Sequence, residues 1–191
     1  MDNLTWDQAL VRLKEGNTRF TQDKLEHNHQ DSGRRQALKQ GQHPFAIILS
    51  CADSRVVPEL AFDQGLGEIF VVRVAGNVAN TSSIASIEYA VANLGVKLIV
   101  VMGHESCGAV SAAIGGGDAG PNLNSLISLI APAVNQSSDK SVSAIVKENV
   151  RINAKALVNK SDIISSAVKE NDVKIITAYY NLESGVVDFL I

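Results

Sequence analysis

Two short segments of this 191-residue chain carry its most reactive grouping of side chains. Cys51-Ala52-Asp53-Ser54-Arg55 sets a thiol, a carboxyl and a guanidinium close together, and Gly103-His104-Glu105-Ser106-Cys107-Gly108 adds an imidazole and a second thiol. Two thiolates and one imidazole suit a borderline-soft ion such as zinc. Three protein ligands leave the fourth tetrahedral position for water, the arrangement of a catalytic rather than a structural site. His-x-x-Cys spacing lets two ligands come from one tight turn at a helix entrance, and Gly103 and Gly108 are expected to let the backbone crowd the metal. Residue types alone leave other outcomes open: two inert buried thiols, a redox thiol pair, or a Cys51–Cys107 disulfide in an oxidising compartment. Asp53 has two roles available beside a metal. It can bind as a fourth ligand and close the site, or accept a hydrogen bond from metal-bound hydroxide while Arg55 holds it in a bidentate pair. The plainer alternative is a solvated surface ion pair worth little.

Both segments follow apolar runs of the length of buried strands, at 45–49 and 98–102, the latter within a strand predicted over 97–102. Further strands are predicted over 68–73 and 173–180. Helices are predicted from Trp6 through Phe20, with Thr5 and Gln8 at capping-box spacing, and over 31–40, 81–94, 123–134 and 141–158. Thr81 and Asp162 are the expected caps of two of the later helices. Apolar strands alternating with helices predict an α/β domain, a mostly parallel sheet flanked by helices. With no repeat and no linker, a single domain over 1–191 is expected, comprising an N-terminal helical arm (1–42) and an α/β core (43–191). If the first and third strands flank the point where strand order reverses, the two reactive loops face one crevice at their carboxyl ends.

Composition narrows the function. An apolar fraction of 46% with 19% charged residues describes a globular chain rather than a disordered one. The net charge of −3 and the absence of a basic stripe exclude a phosphate-backbone reader, so no nucleic-acid partner is expected. No apolar run approaches the roughly 18 residues of a membrane span, and the first residues lack the basic-then-apolar order of a leader, so no membrane and a cytoplasmic location are expected, a removed leader being compatible with the same sequence. Competing motifs fail on particular residues. Ala109-Val110 stands where a phosphate-binding loop needs Lys-Ser/Thr after Gly103-x-x-x-x-Gly108, and Gly65-Leu66-Gly67 lacks the third glycine of a dinucleotide fingerprint. His27, His29 and His43 sit in polar segments and read as surface residues.

Together, Cys51-Ala52-Asp53-Ser54-Arg55 and His104-Glu105-Ser106-Cys107 resemble the paired Cys-x-Asp-Ser-Arg and His-x-x-Cys motifs of the β-carbonic anhydrase family. The likeness continues through the segment from Phe62-Asp63-Gln64-Gly65 to Arg73-Val74-Ala75-Gly76-Asn77 and the late Tyr180-Asn181-Leu182-Glu183-Ser184-Gly185. The resemblance implies zinc-dependent reversible hydration of carbon dioxide to bicarbonate and a proton by zinc-bound hydroxide. It implies zinc on Cys51, His104 and Cys107, with Asp53 and Arg55 as the catalytic gating pair and Asp53 as fourth ligand in a closed state. It also implies a homodimer or homotetramer. Alternatives on the same fold are a carbon disulfide or carbonyl sulfide hydrolase and a catalytically closed zinc protein. Members with an inhibitory bicarbonate pocket carry a Trp three residues before the first zinc cysteine, plus an Arg and a Tyr. Arg73 and Tyr180 fall at the latter two positions, but Ile48 replaces the Trp and has no indole N–H to donate. An Asp53 switch would then need another trigger, such as pH. Because two thiolates cancel the ion's charge, activity is expected to rise on the alkaline side of neutrality, with Arg55 partly offsetting that shift.

Overall fold

The computed structural model describes residues 4–190. Five strands form one sheet: β1 (Ala46–Ser50), β2 (Ile69–Arg73), β3 (Leu98–His104), β4 (Lys174–Tyr180) and β5 (Val187–Leu190). Their order is β2-β1-β3-β4-β5, parallel except for the antiparallel β4–β5 pair. Every residue of β1 and β3 is buried, which explains the apolar runs Ala46–Leu49 and Leu98–Met102 within them: a strand covered on both faces has no reason to alternate. Ala46, Ile48, Val100 and Met102 face one core layer, and Ile47, Leu49, Ile99 and Val101 face the other.

The first layer lies under α1 (Trp6–Thr21), which presents Ala9, Leu10 and Leu13 to the sheet. Burying the two leucines contributes roughly 1.5–3 kcal/mol each. The Thr5 N–H donates to Gln8 Oε1 at 3.1 Å, the backbone half of the expected capping box. The α1 part of the N-terminal arm is therefore docked on the sheet, while α2 (Ser32–Ala37) buries no residue. Asn17 fastens α1, donating from Nδ2 to Ala61 O (3.0 Å) and Gly185 O (2.8 Å), while its Oδ1 accepts from the Val187 N–H at 2.9 Å. After α2 the chain enters β1, and a short α3 (Pro58–Ala61) follows it.

The opposite face is covered by α4 (Thr81–Leu94), α7 (Val142–Lys160) and α8 (Asp162–Glu170), whose apolar stripes include Ile84, Ile87, Val150, Leu157 and Ile164. Two further helices, α5 (Gly108–Gly115) and α6 (Pro121–Gln136), close a third cluster around Cys51 and Cys107. The caps differ from expectation by one residue. Asn80 rather than Thr81 caps α4 by accepting from the Ser83 N–H, and Ser161 rather than Asp162 caps α8 by accepting from the Ile164 N–H. At each boundary two cap-competent residues stand side by side, and the one left with extended backbone takes the role.

Candidate metal centre

In this strand order β2 lies to one side of β1 and β3 to the other, so the connections leaving β1 and β3 diverge and open a crevice at their carboxyl ends. Cys51 directly follows β1, His104 ends β3, and Cys107 caps α5. Ser106 adopts a left-handed φ of 53°, and this turn brings Cys107 back toward the strand it has just left. One ligand atom from each of Cys51, His104 and Cys107 lies within 4.8 Å of the others, and all three residues are buried.

The polar atoms of this cluster are incompletely satisfied from within the chain. His104 is 0% exposed and its Nε2 has no hydrogen-bond partner, while Nδ1 lies 2.8 Å from Glu105 O and so takes the N–H. That tautomer leaves the Nε2 lone pair free, as a metal ligand requires. Both cysteines are free thiols. Cys51 is held well below the ordinary thiol range, first by the Cys107 S–H donating to it, then by the backbone N–H groups of Asp53 and Gly76, against the effect of burial. Cys107 is correspondingly pushed up, by the Cys51 thiolate and by burial, although the N–H groups of Val110 and Ala109 at the start of α5 oppose this. A cation bound there would take both sulfurs as donors and satisfy Nε2, so the donor set fits zinc.

Asp53 and Arg55 form the bidentate pair: Arg55 Nε donates to Asp53 Oδ1 at 2.9 Å and Nη2 to Oδ2 at 2.8 Å. Arg55, through its guanidinium and then its backbone N–H, keeps the Asp53 carboxyl well below the usual carboxylate range despite partial burial. Asp53 Oδ2 sits 3.9 Å from His104 Nε2, beside the cluster. Arg55 Nη2 also reaches Ser106 O at 3.3 Å, linking the two reactive loops.

Several placements were not visible in the sequence. Arg73 braces the first loop, donating to Cys51 O (3.0 Å) and Asp53 O (2.6 Å). Ile48 is fully buried in the apolar layer under α1, in the same cluster as Tyr180. The glycines do not crowd the cluster as expected. A Cβ on Gly103 would lie 2.6 Å from Val146 Cγ1 and 2.9 Å from Val150 Cγ1, so Gly103 admits α7, and Gly108 faces open space. His27, His29 and His43 are exposed, although His29 Nδ1 lies 2.8 Å from the buried Glu68.

Residues 46–187 match the family model described as carbonic anhydrase. Carbonic anhydrase 2 of Mycobacterium tuberculosis is 40% identical over 97% of this chain and 93% of its own length. Among solved structures, the β-carbonic anhydrase CafA of Aspergillus fumigatus is 28% identical with a TM-score of 0.76, covering 96% of this chain and 89% of that one. A tetrameric β-carbonic anhydrase of Sordaria macrospora, 24% identical, shares the fold with a TM-score of 0.76 over 95% of this chain and 96% of that one. With the mostly parallel sheet and the Cys–His–Cys cluster at its switch point, these matches establish that the chain belongs to the β-carbonic anhydrase family, enzymes of the reversible hydration of carbon dioxide.

Proposed function

We propose that Cys51, His104 and Cys107 hold a catalytic zinc ion in this carbonic anhydrase, and that Asp53 and Arg55 form its gating pair. The observation that carries this is the buried, unpartnered Nε2 of His104 beside two free, buried thiols. Zinc, when bound, acidifies a coordinated water and so supplies a nucleophile for carbon dioxide. The net change is one carbon dioxide and one water giving bicarbonate and a proton. Asp53, kept ionised and turned toward Arg55, is an acceptor for the attacking water's hydrogen and orients its lone pair toward carbon. The closed alternative requires Asp53 to leave Arg55 and ligate the ion, so the bidentate pair favours the open form. Loss of Arg55 removes that restraint.

The cysteines must stay reduced to act as ligands, which suits the cytoplasm. Self-association into a dimer or tetramer is supported by apolar side chains left on the surface, among them Tyr89 (50% exposed), Leu60 (46%) and Leu66 (42%), and by the tetrameric Sordaria macrospora protein of the same fold. Tyr89 stands beside Phe70 of the edge strand β2, their ring centroids 6.5 Å apart. Metal quantification on purified protein and on Cys51→Ser tests the ligand assignment. One zinc per chain in the parent and loss of zinc in the variant is the expected result. Equal zinc in both contradicts it.

A further inference from the structure

We propose that Asn149, a buried residue of α7, is a positioning residue for the Cys51 thiolate and acts through the backbone of Gly76. The inference rests on Cys51 being a metal ligand. The Gly76 N–H donates to Cys51 Sγ at 3.3 Å. Gly76 has φ 67° and ψ 16°, inside a short turn between Val74 and Val78, and a Cβ there would lie 2.6 Å from Ile130 Cδ1. Only glycine suits both that dihedral and that space. Such a residue keeps its N–H on the sulfur only if the rest of its backbone is pinned.

Asn149 supplies the pin. Its Nδ2 donates to Gly76 O at 2.8 Å, across 73 positions of sequence. Its own amide is oriented in turn, because Asn153 Nδ2 donates to Asn149 Oδ1 at 2.9 Å and so turns Nδ2 of Asn149 toward Gly76. Asn153 Oδ1 accepts from the Ala79 N–H at 2.7 Å, holding the far end of the same turn. Both asparagines lie on the face of α7 that also buries Val146, Val150 and Leu157. Amides buried there are costly unless fully bonded, and these two spend their bonds on the turn beside Cys51. An N–H bonded to a thiolate draws electron density from sulfur, weakening its donation to the ion and preserving the ion's pull on bound water. Asn149 thereby fixes both where the Cys51 sulfur sits and how strongly it donates.

Cobalt(II) exchanged for zinc reads this without any turnover, through its dissociation constant and its thiolate-to-cobalt absorption band. Asn149→Ala removes the pin. Asn149→Ser is the milder change, since its hydroxyl can bond its own helix while being too short to reach Gly76. Ser83→Ala is the control for general loosening: Ser83 Oγ donates to Val78 O and Asn80 O, both at 3.0 Å, in the same turn but with no bond toward Cys51. Both Asn149 variants are expected to bind cobalt about tenfold more weakly and to shift the band, the lower end of what groups behind metal ligands contribute, while Ser83→Ala matches the parent. Unchanged binding and band in the Asn149 variants overturns the proposal, as does an equal change in Ser83→Ala. A parent protein showing no thiolate-to-cobalt band overturns the ligand assignment of Cys51 and this inference with it, a result distinct from the other two.

Discussion

At the amino-terminal ends of the parallel strands, buried carboxylates find every partner within the chain. Glu68, 6% exposed, takes Arg12 and His29 on Oε1 and the Gly65 N–H on Oε2 at 2.6 Å. Asp63 takes Arg19 Nε at 2.6 Å and the N–H groups of Glu26 and His27. At the carboxyl ends the accounting stays open, with an unpartnered lone pair on His104 beside two free, buried thiols. The carboxylates of the first region are completed by folding, although the Gln64 Oε1 between Asp63 and Gly65 has no partner, whereas the second region gathers three metal-competent donors that a ligand would complete. Shape alone misleads here: the cleft of about 260 Å³ lined by Arg12, His29, Arg34, His43, Glu68 and Lys97 lies at the amino-terminal end, away from the cysteines. Convergence of metal-competent donors, rather than concavity, locates the chemistry.

The largest effects should come from breaking the open end. Cys51→Ser and Cys107→Ser are expected to weaken zinc by more than about 100-fold, beyond the range of losses behind the ligands, with the helical signal of circular dichroism retained. Retained zinc would move the site elsewhere. Asp53→Ala should keep one zinc per chain and lower kcat/KM by roughly 100-fold, the scale of a lost proton acceptor. Full activity would remove Asp53 from the mechanism. Arg55→Ala should cost less, about tenfold by linkage to Asp53, and adding it to Asp53→Ala should cost nothing further. Strictly additive losses would mean that the two residues act separately.

The closed end should respond in stability and not in metal. Glu68→Gln is expected to lower unfolding stability by about 2 kcal/mol in urea titration, from weakened charge-assisted bonds to a buried group, with zinc unchanged. Its acid response has a definite sign. For Asp63 and Glu68 burial alone would raise the carboxyl, but Arg19 with the Glu26 and His27 N–H groups, and Gly65 N–H with His29 and Arg12, outweigh it and hold both below their ordinary 3.8 and 4.5. Depressed carboxyls stabilise the fold fully above those ordinary values, and the contribution is lost as pH falls through the lower folded values. Trp6, the single tryptophan, packs on the core layer under α1, so its fluorescence should report the arm loosening below about pH 4. A signal flat to much lower pH would mean that these pairs do not hold the arm.

The sequence made the sheet legible where burial on both faces left unbroken runs, as at Ile47-Ile48-Leu49, and left it illegible where elements are short. The four-residue α3 has too few positions for a helical period, and β5, an edge strand, buries only Val187. The two reactive loops were visible because each is local, with its residues a few positions apart. What holds them in place is not local. Arg73 reaches Cys51 and Asp53 from the neighbouring strand, and Asn149 reaches Gly76 from a helix 73 positions away. In sequence Asn149 is an ordinary polar residue of Lys147-Glu148-Asn149-Val150, and only packing reveals it on the buried side of α7.

Stopped-flow carbon dioxide hydration by zinc-quantified protein, scanned from neutral to mildly alkaline pH, tests the central claim most directly. Turnover that depends on zinc and climbs with pH is the result expected of a site with two thiolates, one imidazole and Asp53 held back by Arg55. Stoichiometric zinc without turnover at any pH in that range would contradict it.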